Sequence, residues 1–230
     1  MHYKIQSLLY RKNNLTSYQL FKELKYLIDV LPTWQEKKHN WLIAHPSRRI
    51  IAINEMGIIE DALSYVDYLI NNNKPINIVL ADENEDDSII TICYKNTPTV
   101  SNERYLLSVT IKYLSNYNDV DSFIYVFDKM IKYDGWAFKY ILLDTEQYRF
   151  NQREVFDDRL PVGWMLYLPL KITREDTPSA YKLFDVDNGI GTIVVSKDEF
   201  NGKNKTDIAC ANNVEMELAA NGLLPLIKGM

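Results

Sequence analysis

Apolar side chains recur at helical spacing in four stretches of the chain. In SYQLFKELKYLIDVL (residues 17–31), Leu20, Leu24, Leu27, Ile28 and Leu31 share one face, Thr16 or Ser17 is placed to cap the start, and Pro32 ends the run. In IIEDALSYVDYLI (58–70), Ile59, Ala62, Leu63, Val66, Leu69 and Ile70 do the same, Glu60 and Asp61 suit the positive end of the helix dipole, and Asn71 to Asn73 with Pro75 stop it. DSFIYVFDKMIKY (121–133) carries Phe123, Val126, Phe127, Met130 and Ile131 behind an acidic cap at Asp119 or Asp121. TDIACANNVEMELAANGLLP (206–225) aligns Ile208, Ala211, Val214 and Leu218 before an Asn221-Gly222 stop. Stripes of this kind face a core.

Between the helices, strand-like runs rich in β-branched and aromatic residues occupy 3–10, 50–53, 76–80, 89–94, 105–113, 162–168 and 190–195. The order lacks the regular βαβ alternation of a doubly wound parallel sheet. The pattern predicts one α+β domain over residues 1–230, with a mixed or largely antiparallel sheet and about four flanking helices.

The most apolar run is RLPVGWMLYLPL, where eleven uncharged residues follow Arg159. That is well short of the roughly 20 residues a membrane-spanning helix needs. As a strand it places Val162, Trp164, Leu166 and Leu168 on one side and Gly163, Met165 and Tyr167 on the other, so both faces are apolar and the strand is central. Pro161 and Pro169 sit at its ends, and Gly163 makes room for a ring packing across it. Arg159, Gly163, Trp164 and Tyr167 are thus an architectural motif.

Charge changes the picture only locally. The formal net charge of −5 hides a basic start (+6 over residues 1–50) and an acidic centre (−7 over residues 51–100). Most of the acidity is ADENEDDS, where Asp82, Glu83, Glu85, Asp86 and Asp87 separate two strand-like runs. Like charges this dense must stay in solvent, which makes the segment a loop between strands and a candidate contact for a basic partner.

Candidate chemistry is sparse. The two cysteines, Cys93 and Cys210, show neither disulfide nor metal spacing and read as small buried hydrophobes in a reducing cytoplasm. The opening MHYKIQSLLYRKNN reads as a strand, not a secretory signal. His2, His39 and His45 form no ligand pair and accompany no nucleophile elbow. Gly189 and Gly191 in DNGIGTIV lack the third glycine of a dinucleotide site, DVDNG departs from a calcium loop at Gly189 and Ser196, and Glu23-x-Lys25 lies within a helix with no acidic residue upstream to complete a metal-nuclease set. Asp157 and Asp158 are the one carboxylate pair. Neighbours on an extended chain point to opposite sides, so they do not share a proton, and ion pairs with Arg153 or Arg159 account for them. A second reading makes the chain a carboxylate-dependent hydrolase using Asp157, Asp158, Asp185 or Asp187, with or without a divalent cation.

In WAFKYILLDTEQYRF, then VFDDRLPVGWMLYLPL, then ACANNVEMELAANGLLP, the chain resembles the immunity protein 52 family of bacterial polymorphic toxin systems, over roughly residues 136–225. The resemblance implies a non-catalytic α+β inhibitor, without cofactor or metal, that neutralises a cognate toxin. The toxins of that family are similar to nucleases of restriction-endonuclease fold and travel by a type VI or related secretion apparatus. It implies action in the cytoplasm through protein contact, with no membrane and no direct nucleic-acid binding, and leaves the chain to act as a monomer or a homodimer. A nuclease cleft is basic, so Asp82, Glu83, Glu85, Asp86, Asp87, Asp157 and Asp158 are the candidate toxin-binding residues.

Overall fold

The computed structural model describes residues 2–11, 15–31, 40–82, 90–96, 104–112, 119–186 and 189–229. Among them, eleven strands form one sheet and every pairing is antiparallel. In chain order the elements are β1 (His2–Arg11), α1 (Ser17–Val30), β2 (Trp41–Ile43), β3 (Ile50–Asn54), β4 (Gly57–Ile58), α2 (Glu60–Asn71), β5 (Asn77–Asp82), β6 (Ile90–Asn96), β7 (Arg104–Lys112), α3 (Val120–Ile131), β8 (Trp136–Thr145), β9 (Met165–Leu168), β10 (Lys182–Val186), β11 (Gly191–Val195) and α4 (Lys205–Ala220). Across the sheet the strands run β10-β11-β9-β8-β1-β7-β6-β5-β2-β3-β4. This is the α+β architecture the periodicity predicts, and no described helix is long and apolar enough to cross a membrane.

The helices begin where their caps stand. Thr16 accepts from Gln19 N, Asp119 from Asp121 N and Asn204 from Thr206 N, each quenching an amide that the first turn leaves unpaired. Helices α1, α2 and α3 cover one face of the sheet, with α1 packed on both of the others. Their stripes meet Tyr3, Ile5, Leu107, Val109, Ile141 and Ile193 in the larger core.

Helix α4 belongs to the second face, where Val214 and Leu218 pack with Leu142, Leu166, Leu168 and Val194. It reaches only one end of the sheet. Every residue of β9 and β11 is therefore buried, whereas β7 alternates between buried and exposed or half-exposed positions. Strand β8 switches midway: Ala137 and Lys139 face solvent, and from Tyr140 onward all residues are buried. A bulge that leaves Lys139 unmatched, between the Leu8–Tyr140 and Leu9–Phe138 pairs, marks the change.

Beneath α1 lies a buried ion pair. Arg11, at the end of β1, bonds Glu23 and also donates to Tyr94 Oη at 3.0 Å, while Gln19 donates to the second Glu23 oxygen at 3.0 Å. Glu23 is fully buried on the stripe of α1 between Leu20 and Leu27. Removing one partner of such a pair leaves a charge without compensation, at a cost of about 3–5 kcal/mol.

Candidate functional site

The apolar motif is architecture, as expected, but its geometry differs from a plain strand. Gly163 has φ +56°, which turns the chain out of the pleat, so β9 begins only at Met165. The alternation consequently slips. Val162, Leu166 and Leu168 face α4, while Trp164 joins Met165 and Tyr167 on the three-helix side, between Tyr3 and Phe123 at centroid distances of 6.1 and 5.4 Å. The strand is interior rather than at the middle of the sheet, flanked by β8 and β11. A Cβ at Gly163 would lie 3.0 Å from the Leu143 carbonyl, so backbone, not a ring, crosses there. The glycine that admits a ring is Gly191, whose Cβ would sit 2.5 Å from Cε2 of Tyr167.

Arg159 does not pair with a neighbouring aspartate. It donates to Leu224 O at 2.7 Å and stacks over Phe156, while Leu160 N donates to Pro225 O and Ile227 N to Asp158 O. The two segments that carry the resemblance, FDDRLPVGW and GLLP, are thus stitched together. Asp157 and Asp158 are exposed, and neither is ion-paired among the described residues. Asp185 is exposed on edge strand β10, and no group of three or more candidate metal ligands occurs among the described residues. Asp82 is half-buried at the end of β5. Glu83, Glu85, Asp86, Asp87, Asp187, His39 and Pro32 lie outside the described residues. The segment 83–89 does join two paired strands, β5 and β6, as the charge pattern predicts. Cys93 and Cys210 are half-buried free thiols, not core residues, because Cys93 sits on the face of β6 that α4 does not reach.

The carboxylates that come together are others. Residues 146–153 cross from the end of β8 towards α4, and three non-glycine residues of the crossing are left-handed: Glu146 (φ 51°), Gln147 (φ 60°) and Gln152 (φ 53°). Such conformations cost of order 1–3 kcal/mol each and persist where surroundings enforce them. Here the enforcement is a buried polar network. Asp144 accepts from the amides of Tyr148 (2.8 Å) and Arg149 (3.2 Å). Glu215 of α4, 1% exposed, accepts from Tyr148 Oη (3.1 Å), Val155 N (2.9 Å) and Val162 N (3.0 Å). The Asn212 amide nitrogen, in the orientation that satisfies both its ends, donates to Tyr148 Oη (2.7 Å), Arg153 O (3.0 Å) and Ile208 O (3.2 Å).

Burial dominates the electrostatics. It lifts the Asp144 carboxyl to about 6 against its two amide bonds, and raises Glu215 with a further push from Glu154. Tyr148, beside Glu215, Glu154 and Asp144, is pushed far up and stays protonated. Asp144 and Glu215 hold backbone amides, so the network fixes a loop rather than presenting a general acid or base to a substrate. What it presents is Phe150, 81% exposed between two half-turns of left-handed backbone.

Sequence reasoning passed over Phe150, Asp144 and Glu215. Only Glu215 left a signal: it lies on the apolar stripe of α4, one position past Val214 and three before Leu218, as Glu23 does on α1.

No protein-family model matches the chain, and no curated protein does. Among solved structures it is similar to the Pseudomonas aeruginosa T6SS protein PA0821, with a TM-score of 0.59 over 95% of this chain and 76% of that one. At 11% identity the likeness is one of fold, and it takes in nearly all of this chain and about three quarters of the other.

Proposed function

We propose that the chain is a non-catalytic immunity protein of a type VI or related secretion system. It binds a nuclease toxin of restriction-endonuclease-like fold and neutralises it in the cytoplasm by forming a complex. The observation that carries this reading is the fold shared over 95% of the chain with a T6SS protein of Pseudomonas aeruginosa. The buried carboxylates support it further, since Asp144 and Glu215 organise a loop that exposes an aromatic side chain, a feature of binding surfaces. The immunity protein 52 resemblance adds the toxin class.

The test is co-expression with the toxin domain encoded beside the gene. Rescue of growth together with copurification of a stoichiometric complex is the expected result. Killing without copurification removes that toxin as partner and sinks the reading for it. Exchanging Asp82, Glu83, Glu85, Asp86 and Asp87 for Asn or Gln then asks whether the acidic segment takes part: slower association with a flatter salt dependence is expected if it meets a basic cleft. Unchanged association excludes it from the interface.

A further inference from the structure

Among the described residues the second face of the sheet is covered only beneath α4, and what remains open has a specific chemistry. Beyond Leu8, which is buried under the edge of the α4 cluster, the side chains of this face on β1, β7, β6 and β5 are half-buried or exposed, in the register Lys4–Thr110–Thr91–Ala81 and Gln6–Ser108–Cys93–Val79. The centre of the area is small and uncharged. Around it stand Lys4, Lys95, Arg104 and Lys112, none ion-paired among the described residues. Among the described residues none of these four strands presents an exposed carboxylate on the face, and Asp144, opposite Lys4 on the adjoining β8, is only 3% exposed. The cations converge on the centre, where Lys95 and Lys4 both act on the Cys93 thiol against the upward push of burial.

One border of this area is the strained crossing. Arg149 N is anchored on Asp144, directly across the ladder from Lys4, and the next residue is the exposed Phe150. Leu106, 45% exposed, adds apolar surface next to Lys95. Resting on the binding-protein reading above, we infer that this open face of β5, β6, β7 and β1 is the docking surface for an acidic protein partner, with Phe150 as its aromatic anchor.

Charge complementarity selects the occupant. Two copies of this chain meeting face to face would bring like charges together. Single-stranded nucleic acid needs aromatic platforms among the cations, and the centre of this face offers Ser, Thr, Cys and Val instead. A flat protein surface bearing carboxylates fits. Four strands about 4.8 Å apart and 10, 9, 7 and 6 residues long, at about 3.4 Å per residue, give a footprint of several hundred Å², of the order of the roughly 800 Å² one partner contributes to a standard interface. On a nuclease toxin, such a contact lies on an acidic surface and not on the phosphate-binding cleft. Strand β5 ends with Asp82 at the Lys112 end of the face, and neutralising the acidic run that begins there in the sequence is the separate experiment given above.

The test uses the full chain and the toxin domain shown to copurify with it. Charge reversal at Lys95, Arg104 and Lys112 to Glu, with Lys→Gln and Arg→Gln exchanges as a milder set, should slow association at low salt by about 10- to 100-fold and remove most of its salt dependence. Phe150→Ala should speed dissociation by at least about 10-fold. Cys93 provides a second readout: in a Cys210→Ser background its alkylation by a maleimide should be blocked in the complex and restored on dissociation. Wild-type association with unchanged salt dependence in both variant sets, or Cys93 equally reactive in the complex, overturns the surface while leaving the inhibitor reading standing. A wild-type chain that neither rescues nor copurifies overturns that reading instead. Oligonucleotide binding that depends on Lys95, Arg104 and Lys112 would overturn the protein partner.

Discussion

Among the described residues the two ends of the sheet differ in one respect: beneath α4 both faces are buried, and from β1 beyond Leu8 across to β5 only one is. The covered end is buried at every position of β9 and β11 and tied down by Glu215, whereas the open end keeps cations and small polar side chains at alternate positions. The same sheet thus serves as a core at one end and as a surface at the other. Side-chain alternation, not backbone pairing, carries the difference.

The sharpest way to break the covered end is Glu215→Ala. It leaves Val155 N, Val162 N and the Tyr148 hydroxyl without their acceptor and should cost about 3–5 kcal/mol by chemical denaturation, in line with several buried groups losing their partner. A loss under about 1 kcal/mol would show that water replaces the carboxylate and that the end is not sealed.

A pH titration of stability comes next. The folded Asp144 carboxyl titrates at about 6, above its ordinary value of 3.8, so the folded protein holds this proton more tightly than the unfolded chain. Below about pH 4 the group is protonated in both states. As pH rises towards 6 its ionisation destabilises the fold by about 2–3 kcal/mol, and above 6 the effect is constant. Glu215 shifts in the same direction. Asp144→Asn should flatten the slope between pH 4 and 6, and a variant with the parental slope would assign it to other groups.

Gly191→Ala probes the packing within the covered end. The added Cβ meets the Tyr167 ring at 2.5 Å, and displacing that ring should cost about 1–3 kcal/mol, read from the denaturation midpoint. The smallest effect compares the two ends directly. Val194→Thr buries a hydroxyl beneath α4 and should cost about 1–2 kcal/mol, while Val79→Thr on the open face should change stability by less than about 0.5 kcal/mol. Equal losses would mean that the open face is covered in solution.

How much of this the sequence discloses depends on whether a residue acts through its own neighbours or through distant ones. The helix stripes, their caps and most strands follow from local spacing. Strand β8, central and ten residues long, escapes the strand pattern because WAFKYILLDT alternates in its first half and is continuously apolar in its second, with a bulge at the join. Trp164 lands on the other side because a single left-handed glycine shifts the phase, which alternation cannot foresee. The carboxylates legible as a pair, Asp157 and Asp158, stand free in solvent. Those that hold the molecule together, Asp144 and Glu215, are 71 positions apart in sequence and meet only through Tyr148.

Strand β1 is synthesised well before β7 and β8, yet it is hydrogen-bonded between them. At about 5–20 residues per second, a ribosome needs roughly 5–30 s to deliver both neighbours. Throughout that time an apolar strand carrying Tyr3, Ile5, Leu8 and Leu9 has both edges unpaired. Closing contacts across more than a hundred residues is also entropically slow. Full pairing of β1 therefore waits until β8 has emerged, with chaperone capture of the nascent chain as the natural competitor to premature edge pairing.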